Sequence, residues 1–285
     1  MTVAITMKVN DGIVLAADSA STLATTTNTV VNVYNNANKI FNLRKGLPIG
    51  LITWGLGSIG GTSISTLAKD LRRRFAGDDP NHLEWKLDPA NYMLRSVAER
   101  VREFMYDERY APADQAAQAA GAPPATGLGF FVVGYSAGAD QAEEYHLELA
   151  TAGCAPPALV RQADESGATW AGQPECISRI LNGTGSLMPE ILEQDLGVPA
   201  AEVPAKMAAI GAKLAAPMVN SAMPVQDAID LAEFLVEASI QFSRFMPGSP
   251  TVGGPVESAA ISKHEGFKWI KRKHYFVNTL NPEVS

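Results

Sequence analysis

Thr2 combines a side chain and a position that suit nucleophilic catalysis. A threonine hydroxyl attacks a carbonyl carbon poorly until a base removes its proton. Once Met1 is removed, the α-amine of Thr2, with an ordinary pKa of about 8, is such a base. The small side chain at position two permits this removal without a dedicated processing protease. Thr2 is therefore a candidate nucleophile for the cleavage of amide bonds.

A glycine-rich segment at residues 55–60, with the sequence GLGSIG, suggests a different chemistry. Such a motif between a strand and a helix is typical of dinucleotide sites, where backbone N–H groups hold a pyrophosphate. That site also needs a second parallel strand, ending in an acidic residue about twenty positions on. Asp78 and Asp79 stand near that distance, but residues 75–77 do not predict a strand. Dinucleotide binding is therefore the weakest of the hypotheses.

The elements that must position these residues begin with a β-hairpin. Residues 2–9 and 12–17 are rich in apolar and β-branched side chains, and Asp11-Gly12 between them is a strong turn signal. Two further strands are predicted at 39–43 and 49–54, which makes four in the first 54 residues. A polar loop at 19–38 separates them from the hairpin. Later predicted elements are helices at 62–75, 89–105 and 224–245, a surface linker at 111–127, a mainly helical segment at 176–243, and strands at 129–135, 145–149, 256–262, 267–270 and 274–277. This order predicts a layered α+β fold rather than a parallel βαβ array.

Composition excludes several classes of function. The net charge of −7 argues against nucleic acid as the main partner, and the basic runs at 72–74 and 268–273 are interpreted as solvated faces. Neither a signal peptide nor a transmembrane segment is predicted, so we expect a cytoplasmic protein that does not bind membranes. The two cysteines, Cys154 and Cys176, and the four scattered histidines do not have metal-ligand spacing. We therefore expect no metal and no cofactor.

Four segments together resemble the proteasome β-subunit family of N-terminal-nucleophile (Ntn) hydrolases, which includes bacterial proteasome-related peptidases. They are the Thr-led strand TVAIT at 2–6, the hairpin strand DGIVLAADS at 11–19, NKIF at 38–41, and GLGS at 55–58. The resemblance is close over residues 2–75 and weaker at 128–149. It implies a four-layer αββα sandwich with extra helical segments, formed by a single domain of residues 1–285 with insertions or elaborations at 76–127 and 176–225.

The resemblance also implies roles for four residues. Thr2 is the nucleophile and its free amine the proton acceptor, while Lys39 is a nearby cation that lowers the proton affinity of that amine. Asp18 pairs with Lys39 and orients it, and the backbone N–H of Gly57 stabilises the oxyanion. The implied activity is that of a threonine protease, a hydrolase that cleaves peptide or amide bonds through an acyl-enzyme on Thr2.

Three differences from the family pattern leave an alternative open. The loop at 19–38 is longer than usual, residues 170–174 stand where the family has a Gly-Ser-Gly turn, and residues 244–254 lack the expected acid. The alternative function is a non-catalytic scaffold subunit that assembles with itself. In either case we expect a homo-oligomeric ring, with a peptide or unfolded protein as the substrate of an active form. Whether an ATP-dependent unfoldase acts with it is left open.

Overall fold

The computed structural model describes residues 2–25, 29–123 and 126–273. These residues form a mixed α+β fold with antiparallel sheets. The strands are β1 (Val3–Val9), β2 (Gly12–Ala17), β3 (Ser21–Ala24), β4 (Val30–Tyr34), β5 (Ile40–Asn42), β6 (Ile49–Gly55), β7 (Ser58–Ile59), β8 (Thr62–Ser63), β9 (Leu128–Gly134), β10 (Glu143–Leu149), β11 (Ala158–Leu159), β12 (Gly167–Gly172), β13 (Glu257–Ser262) and β14 (Gly266–Lys271). The predicted strand at 274–277 lies outside the described residues.

The helices lie between and after these strands. They are α1 (Ile64–Ala76), α2 (Leu94–Arg102), α3 (Ala111–Ala119), α4 (Glu175–Asn182), α5 (Met188–Glu190), α6 (Val203–Leu214) and α7 (Val225–Phe245). A 3-10 turn forms at Leu83–Trp85, and π-helical segments continue α2 at Glu103–Tyr110 and α5 at Ile191–Asp195. Among the described residues, no helix is both long enough and apolar enough to cross a lipid bilayer.

Two five-stranded sheets carry the fold. The first has the order β12-β1-β2-β13-β14, and the second has the order β11-β10-β9-β6-β5. Every pairing in both sheets is antiparallel. The predicted opening hairpin is confirmed, with Val9 opposite Gly12 across the tight turn. Because β6 pairs antiparallel with both neighbours, and no parallel strand follows α1 in the described chain, the dinucleotide hypothesis is wrong.

The core divides into three apolar clusters. Alternate residues of β1, among them Val3 and Ile5, pack with α7 and α4. One face of the second sheet packs against α1 and α2, and Val132 of the sheet, Leu67 of α1 and Val97 of α2 belong to one cluster. A third cluster combines residues of both sheets, and Ala4 of β1 belongs to it. The period-two alternation of the strands thus gives each sheet two apolar faces.

Two predicted loops contain regular structure. The stretch 19–38 was predicted as a polar loop, but β3 and β4 pair there as a hairpin, so the described part of the first 55 residues has six strands rather than four. The β-branched residues of Val30–Tyr34 favour a strand despite their polar neighbours. The linker predicted at 111–127 contains α3, because alanine and glutamine favour helix and a proline suits its first turn.

The helices predicted to follow the glycine turn and to precede the last strands are confirmed. α1 begins after Ser63, whose hydroxyl accepts a hydrogen bond from Thr66 N, and ends at Gly77 in the left-handed conformation. α7 spans Val225–Phe245, with Pro224 directly before it. Both helices therefore end where their local sequence predicts.

Candidate functional site

The antiparallel pairing of β1 and β2 brings Asp18 back to the start of the chain. Thr2 directly precedes β1, and Asp18 directly follows β2, with Ala4 opposite Ala17. Asp18 N donates to Val3 O at 3.3 Å, and Val3 N donates to Asp18 Oδ1 at 3.0 Å. The Asp18 carboxylate is thus bound to the residue next to Thr2.

The second sheet contributes Lys39, which directly precedes β5. Its ammonium lies 2.6 Å from Asp18 Oδ1, and both side chains are buried, with 6% and 0% exposed. Asp18 Oδ2 accepts from Ala20 N and Gly253 N, each at 3.0 Å. Both carboxylate oxygens therefore have two donors each, which stabilises a buried charge that would otherwise be costly.

The electrostatics of Lys39 depend on its surroundings. Burial lowers the pKa of Lys39, and the attraction of Asp18 opposes that shift. The like charge of Lys273 lowers the pKa further, while the charge of Glu257 raises it. Lys39 is therefore coupled to a second buried ion pair.

That second pair consists of Lys273 and Glu257, whose charged atoms lie 3.0 Å apart. Their side chains are 7% and 2% exposed. Lys273 Nζ also donates to Ser19 Oγ at 2.6 Å and to Ala37 O at 2.5 Å. Ser19 Oγ in turn donates to Pro255 O at 2.5 Å. Asp18, Ser19, Lys39, Glu257 and Lys273 are called the Asp18 network below.

The interpretation of the basic runs at 72–74 and 268–273 as solvated faces was wrong for Arg74 and for Lys273, because both side chains are buried in ion pairs. The lysine follows β14, next to the strand that carries Glu257, so the sheet turns it inward to a buried carboxylate. Lys268 of the same run is exposed, as predicted. The one local signal for this pair is an acidic residue at the start of a strand, Glu257–Ser262, whose other residues are small or apolar.

Gly57 lies in the turn between β6 and β7. Its carbonyl accepts from Ile64 N at 3.0 Å, and its N–H has no acceptor among the described residues. A side chain at this position would begin 3.3 Å from Ser21 Oγ, which places Gly57 beside the segment that follows Asp18. Gly57 makes no hydrogen bond to Asp18 or Lys39 in the described chain, so it borders the Asp18 network without joining it.

β12 fixes the backbone of Thr2 from the other side. Thr2 is buried, with 4% exposed, and its carbonyl accepts from Gln173 N at 2.7 Å. Gly172 has φ +91°, and a Cβ there would lie 1.9 Å from Thr2 O, so only glycine fits. The segment 170–174 therefore lies beside the candidate nucleophile, where sequence reasoning noted a replaced turn but missed Gly172. Met1 lies outside the described residues.

A second buried charged group, the Glu144 cluster, involves β1 further along. It consists of Thr6 and Lys8 of β1, Glu144 of β10, and Arg161. Arg161 Nε lies 2.5 Å from Glu144 Oε2, and the Thr6 hydroxyl donates to the same carboxylate. Lys8 Nζ donates to Gln162 O and Ala163 O. The cluster joins the two sheets, and burial raises the pKa of Glu144.

Other reactive groups lie outside the Asp18 network. Cys154 and Cys176 are buried free thiols, and burial raises the pKa of both, which disfavours the thiolate needed for nucleophilic attack. Within residues 2–25, 29–123 and 126–273, no group of three or more His, Cys, Asp or Glu side chains could hold a metal ion. Thr2 is the candidate nucleophile whose neighbour in the chain, Val3, is hydrogen-bonded to the buried Asp18–Lys39 pair.

Sequence and structure comparisons give different results. No protein-family model matches the chain, and no curated protein matches it. Among solved structures, an Anbu (ancestral beta-subunit) Gly-1 mutant from Hyphomicrobium sp. strain MC1 is similar, with a TM-score of 0.51 and 15% identity. The match covers 96% of this chain and 86% of that protein. The fold resembles that of Anbu. Anbu from Yersinia bercovieri also matches, with a TM-score of 0.49, 10% identity, and 96% and 88% coverage.

These results correct the predicted membership of the proteasome β-subunit family. The four motifs at 2–58 led to that prediction, yet no family model matches and the similar structure from Hyphomicrobium shares only 15% identity. A hairpin, a lysine before a strand and a glycine turn are short local patterns, and they do not extend to similarity over the whole chain. What is common to this chain and Anbu is the fold.

Proposed function

We propose that this protein is an N-terminal threonine hydrolase that cleaves peptide bonds through an acyl-enzyme on Thr2. The observation that carries the proposal is the carboxylate of Asp18, which joins Val3 N, next to Thr2, to the buried ammonium of Lys39. Buried titratable groups whose pKa is perturbed by burial and by a specific charge partner, as that of Lys39 is, cluster at functional sites.

In the proposed first step, the free amine of Thr2 accepts the proton of the Thr2 hydroxyl. The hydroxyl oxygen bonds to the substrate carbonyl carbon, and the N–H of Gly57, which is without an acceptor in the described chain, donates to the resulting oxyanion. The protonated amine then gives its proton to the leaving nitrogen as the C–N bond breaks. An ester on Thr2 and a free amine product result.

In the second step, water hydrolyses the ester. The Thr2 amine accepts a proton from the water, the water oxygen bonds to the acyl carbon, and the C–O bond to Thr2 breaks with return of the proton to Thr2. The positive charge of Lys39 favours the neutral amine in both steps, because a nearby cation lowers the proton affinity of the amine. Asp18 orients Lys39, and Lys273 with Glu257 positions that pair.

The proposal extends to architecture and assembly. We propose a single domain in which the two sheets and their helices form a four-layer αββα sandwich, elaborated at 76–127 and 176–225. A homo-oligomeric ring is supported by α6, where Val203 is buried and the remaining residues are half-buried or exposed. Peptides or unfolded proteins in the cytoplasm are the proposed substrates. Sedimentation as a strict monomer at micromolar concentration would contradict the ring.

The test is the intact mass of the purified protein before and after an electrophile selective for N-terminal threonine. We expect loss of Met1, a single adduct, and peptidase turnover. Thr2→Ala should remove both adduct and turnover while leaving the thermal unfolding midpoint within a few degrees. Thr62→Ala, at a half-buried position on β8, is the matched control and should behave as wild type. Turnover that survives Thr2→Ala would disprove the role of Thr2.

A non-catalytic scaffold is the second candidate. The observation that favours it is that Gly172 and Gln173 lie against the backbone of Thr2, and neither residue has a hydroxyl that could assist the nucleophile. A retained Met1 would block the amine and prevent its use as a base. An intact mass that includes Met1, with no adduct and no turnover, would therefore favour the scaffold over the hydrolase.

A further inference from the structure

A cavity of about 400 Å³ opens between the two five-stranded sheets, at the side where β11 and β12 form their edges. Aromatic rings form much of its wall. The residues that characterise the cavity are Trp54, Phe131, His146, Glu148, Thr169 and Trp170. Nothing in the Asp18 network lines it, so the cavity is a separate feature of the molecule.

The register of the second sheet explains why these side chains share one face. Trp54 of β6 and Glu148 of β10 both lie opposite Gly129 of β9, and Phe131 lies opposite His146. Residues opposite each other on neighbouring strands point to the same side of a sheet. A Cβ at Gly129 would lie 2.1 Å from the Trp54 ring, so glycine leaves room for the indole over the strand.

The rings form a stacked wall. The indole of Trp54 stacks on the imidazole of His146, with centroids 5.6 Å apart and planes 14° from parallel. Phe131 contacts both, at 4.5 Å from Trp54 and 5.4 Å from His146. Aromatic faces carry partial negative charge and attract cations within about 6 Å of the ring centroid. The wall is therefore suited to a flat or compact positive group.

The charges around the cavity agree with this preference. Glu148 is exposed at its rim, and no lysine or arginine is among the described residues that line it. Arg161, which donates to Thr169 from behind the wall, is paired with the buried carboxylate of Glu144. Burial lowers the pKa of His146, which favours the neutral imidazole, and the charge of Glu148 opposes that shift. A carboxylate beside aromatic faces is a common way to bind a cationic side chain.

The cavity also lies next to the candidate nucleophile along β12. Ala171 lines the cavity and lies opposite Ala4, while the next residue, Gly172, lies opposite Val3 and against the carbonyl of Thr2. On the other sheet, Trp54 precedes the turn that contains Gly57. A peptide whose carbonyl is at Thr2 therefore has a neighbouring side chain within reach of the cavity.

We propose that this cavity binds a cationic side chain of a peptide, with arginine preferred because its planar guanidinium can stack on the rings and pair with Glu148. Binding of the cation is independent of catalysis. Its consequence, a preference for substrates with an arginine near the cleaved bond, rests on the proposed function. The glycine turn and Thr2 then determine where cleavage occurs, and the cavity determines which peptide is chosen.

The experiment uses the full chain with Thr2→Ala, so that no probe can be turned over. N-acetyl-arginine amide and N-acetyl-citrulline amide are titrated by calorimetry, because citrulline has nearly the shape of arginine without its charge. We expect the arginine probe to bind about 10-fold more tightly. Glu148→Gln, added to Thr2→Ala, should reduce the preference to about 2-fold or less. Glu190→Gln, at an exposed position on α5, should leave it unchanged.

Trp54 supplies a second pair of variants. Trp54→Phe retains a ring and should retain most of the preference for arginine, whereas Trp54→Leu should lose it while still binding both probes weakly. Near-equal affinity for arginine and citrulline in the Thr2→Ala parent, or a preference that survives Glu148→Gln, would overturn the proposal. The hydrolase proposal is tested by the mass of the Thr2 adduct and the cavity proposal by calorimetry. Failure of one proposal can therefore be told from failure of the other.

Discussion

The Asp18 network and the Glu144 cluster are both buried groups of charged residues that involve β1. They differ in which groups donate hydrogen bonds to the central carboxylate. Asp18 and Glu144 are both fully buried, and each has a cation within 2.6 Å. Asp18 also accepts from three backbone N–H groups, which belong to segments far apart in the chain. Glu144 is bound by the side chains of Thr6 and Arg161. Backbone donors fix the first carboxylate relative to Thr2, whereas side chains hold the second between two sheets.

The comparison teaches that buried charge alone does not mark a functional site. Both groups have an acid and a base removed from water, which requires compensating bonds in any folded protein. Only the Asp18 network borders Thr2 and lies beside the turn that contains Gly57. The Glu144 cluster is expected to matter for stability, and the Asp18 network for both stability and turnover.

Asp18→Asn should have the largest effect. The amide cannot accept at both of its terminal atoms, so at least one backbone donor loses its acceptor and Lys39 loses its counter-charge. We expect a loss of about 3–5 kcal/mol in the free energy of unfolding. Turnover and adduct formation at Thr2 should also be lost. Urea unfolding and intact mass check these outcomes, and adduct formation at the wild-type rate would contradict the role of Asp18.

Lys273→Met should have the next largest effect and acts on Lys39. Removal of the Lys273 ammonium leaves Glu257 buried without a cation, which should lower the free energy of unfolding by about 3 kcal/mol. It also removes a like charge that lowers the pKa of Lys39 and leaves a carboxylate that raises it. Since the proposed mechanism needs charged Lys39, turnover should persist to higher pH than in wild type. Lys268→Met is the exposed control. An alkaline limb that does not move would show that Lys273 does not influence Lys39.

Arg161→Met should lower the free energy of unfolding by about 2–3 kcal/mol at pH 7.5. This loss is somewhat smaller than that of Lys273→Met, because the Thr6 hydroxyl still donates to Glu144. Burial raises the pKa of Glu144, so its folded-state pKa lies above the unfolded value. Such a group contributes stability at low pH that is lost as the pH rises through the folded pKa. The loss in the variant should therefore be smaller at pH 5 than at pH 7.5.

The turnover of Arg161→Met distinguishes the Glu144 cluster from the Asp18 network most clearly. Turnover per folded molecule should equal that of wild type, in contrast to Asp18→Asn. Arg95→Met, at an exposed ion pair on α2, should change the free energy of unfolding by about 0.5 kcal/mol or less. If Arg161→Met lowers turnover while folded, the distinction between the two groups is wrong.

Ser19→Ala should have the smallest effect. The serine hydroxyl accepts from Lys273 and donates to Pro255 O, so its loss removes two hydrogen bonds but no charge. We expect the free energy of unfolding, measured in urea, to fall by about 1 kcal/mol, and turnover to change little. Ser186→Ala, which removes an exposed hydroxyl, is the control. A loss as large as that of Lys273→Met would mean that Ser19 does more than link the two ion pairs.

Much of the local structure follows from the sequence alone. The alternation of apolar residues and the Asp11-Gly12 turn predict the opening hairpin, and the helical period with Pro224 predicts α7. The same patterns do not predict α3 or the hairpin of β3 and β4, because polar residues within a regular element lack an apolar period. Family membership was overestimated for a related reason, since short motifs describe a local shape and not the rest of the chain.

The sequence by itself determined where Thr2, Asp18 and Lys39 stand relative to their strands, because strand ends and tight turns are local properties. Only the tertiary structure decided that Lys273 and Glu257 complete the network, that Gly172 closes on Thr2, and that a cavity opens beside β12. Lys273 and Ser19 are separated by 254 positions, and their contact depends on how five strands pair. Such pairings depend on the packing of the two sheets, and no short segment of sequence encodes them.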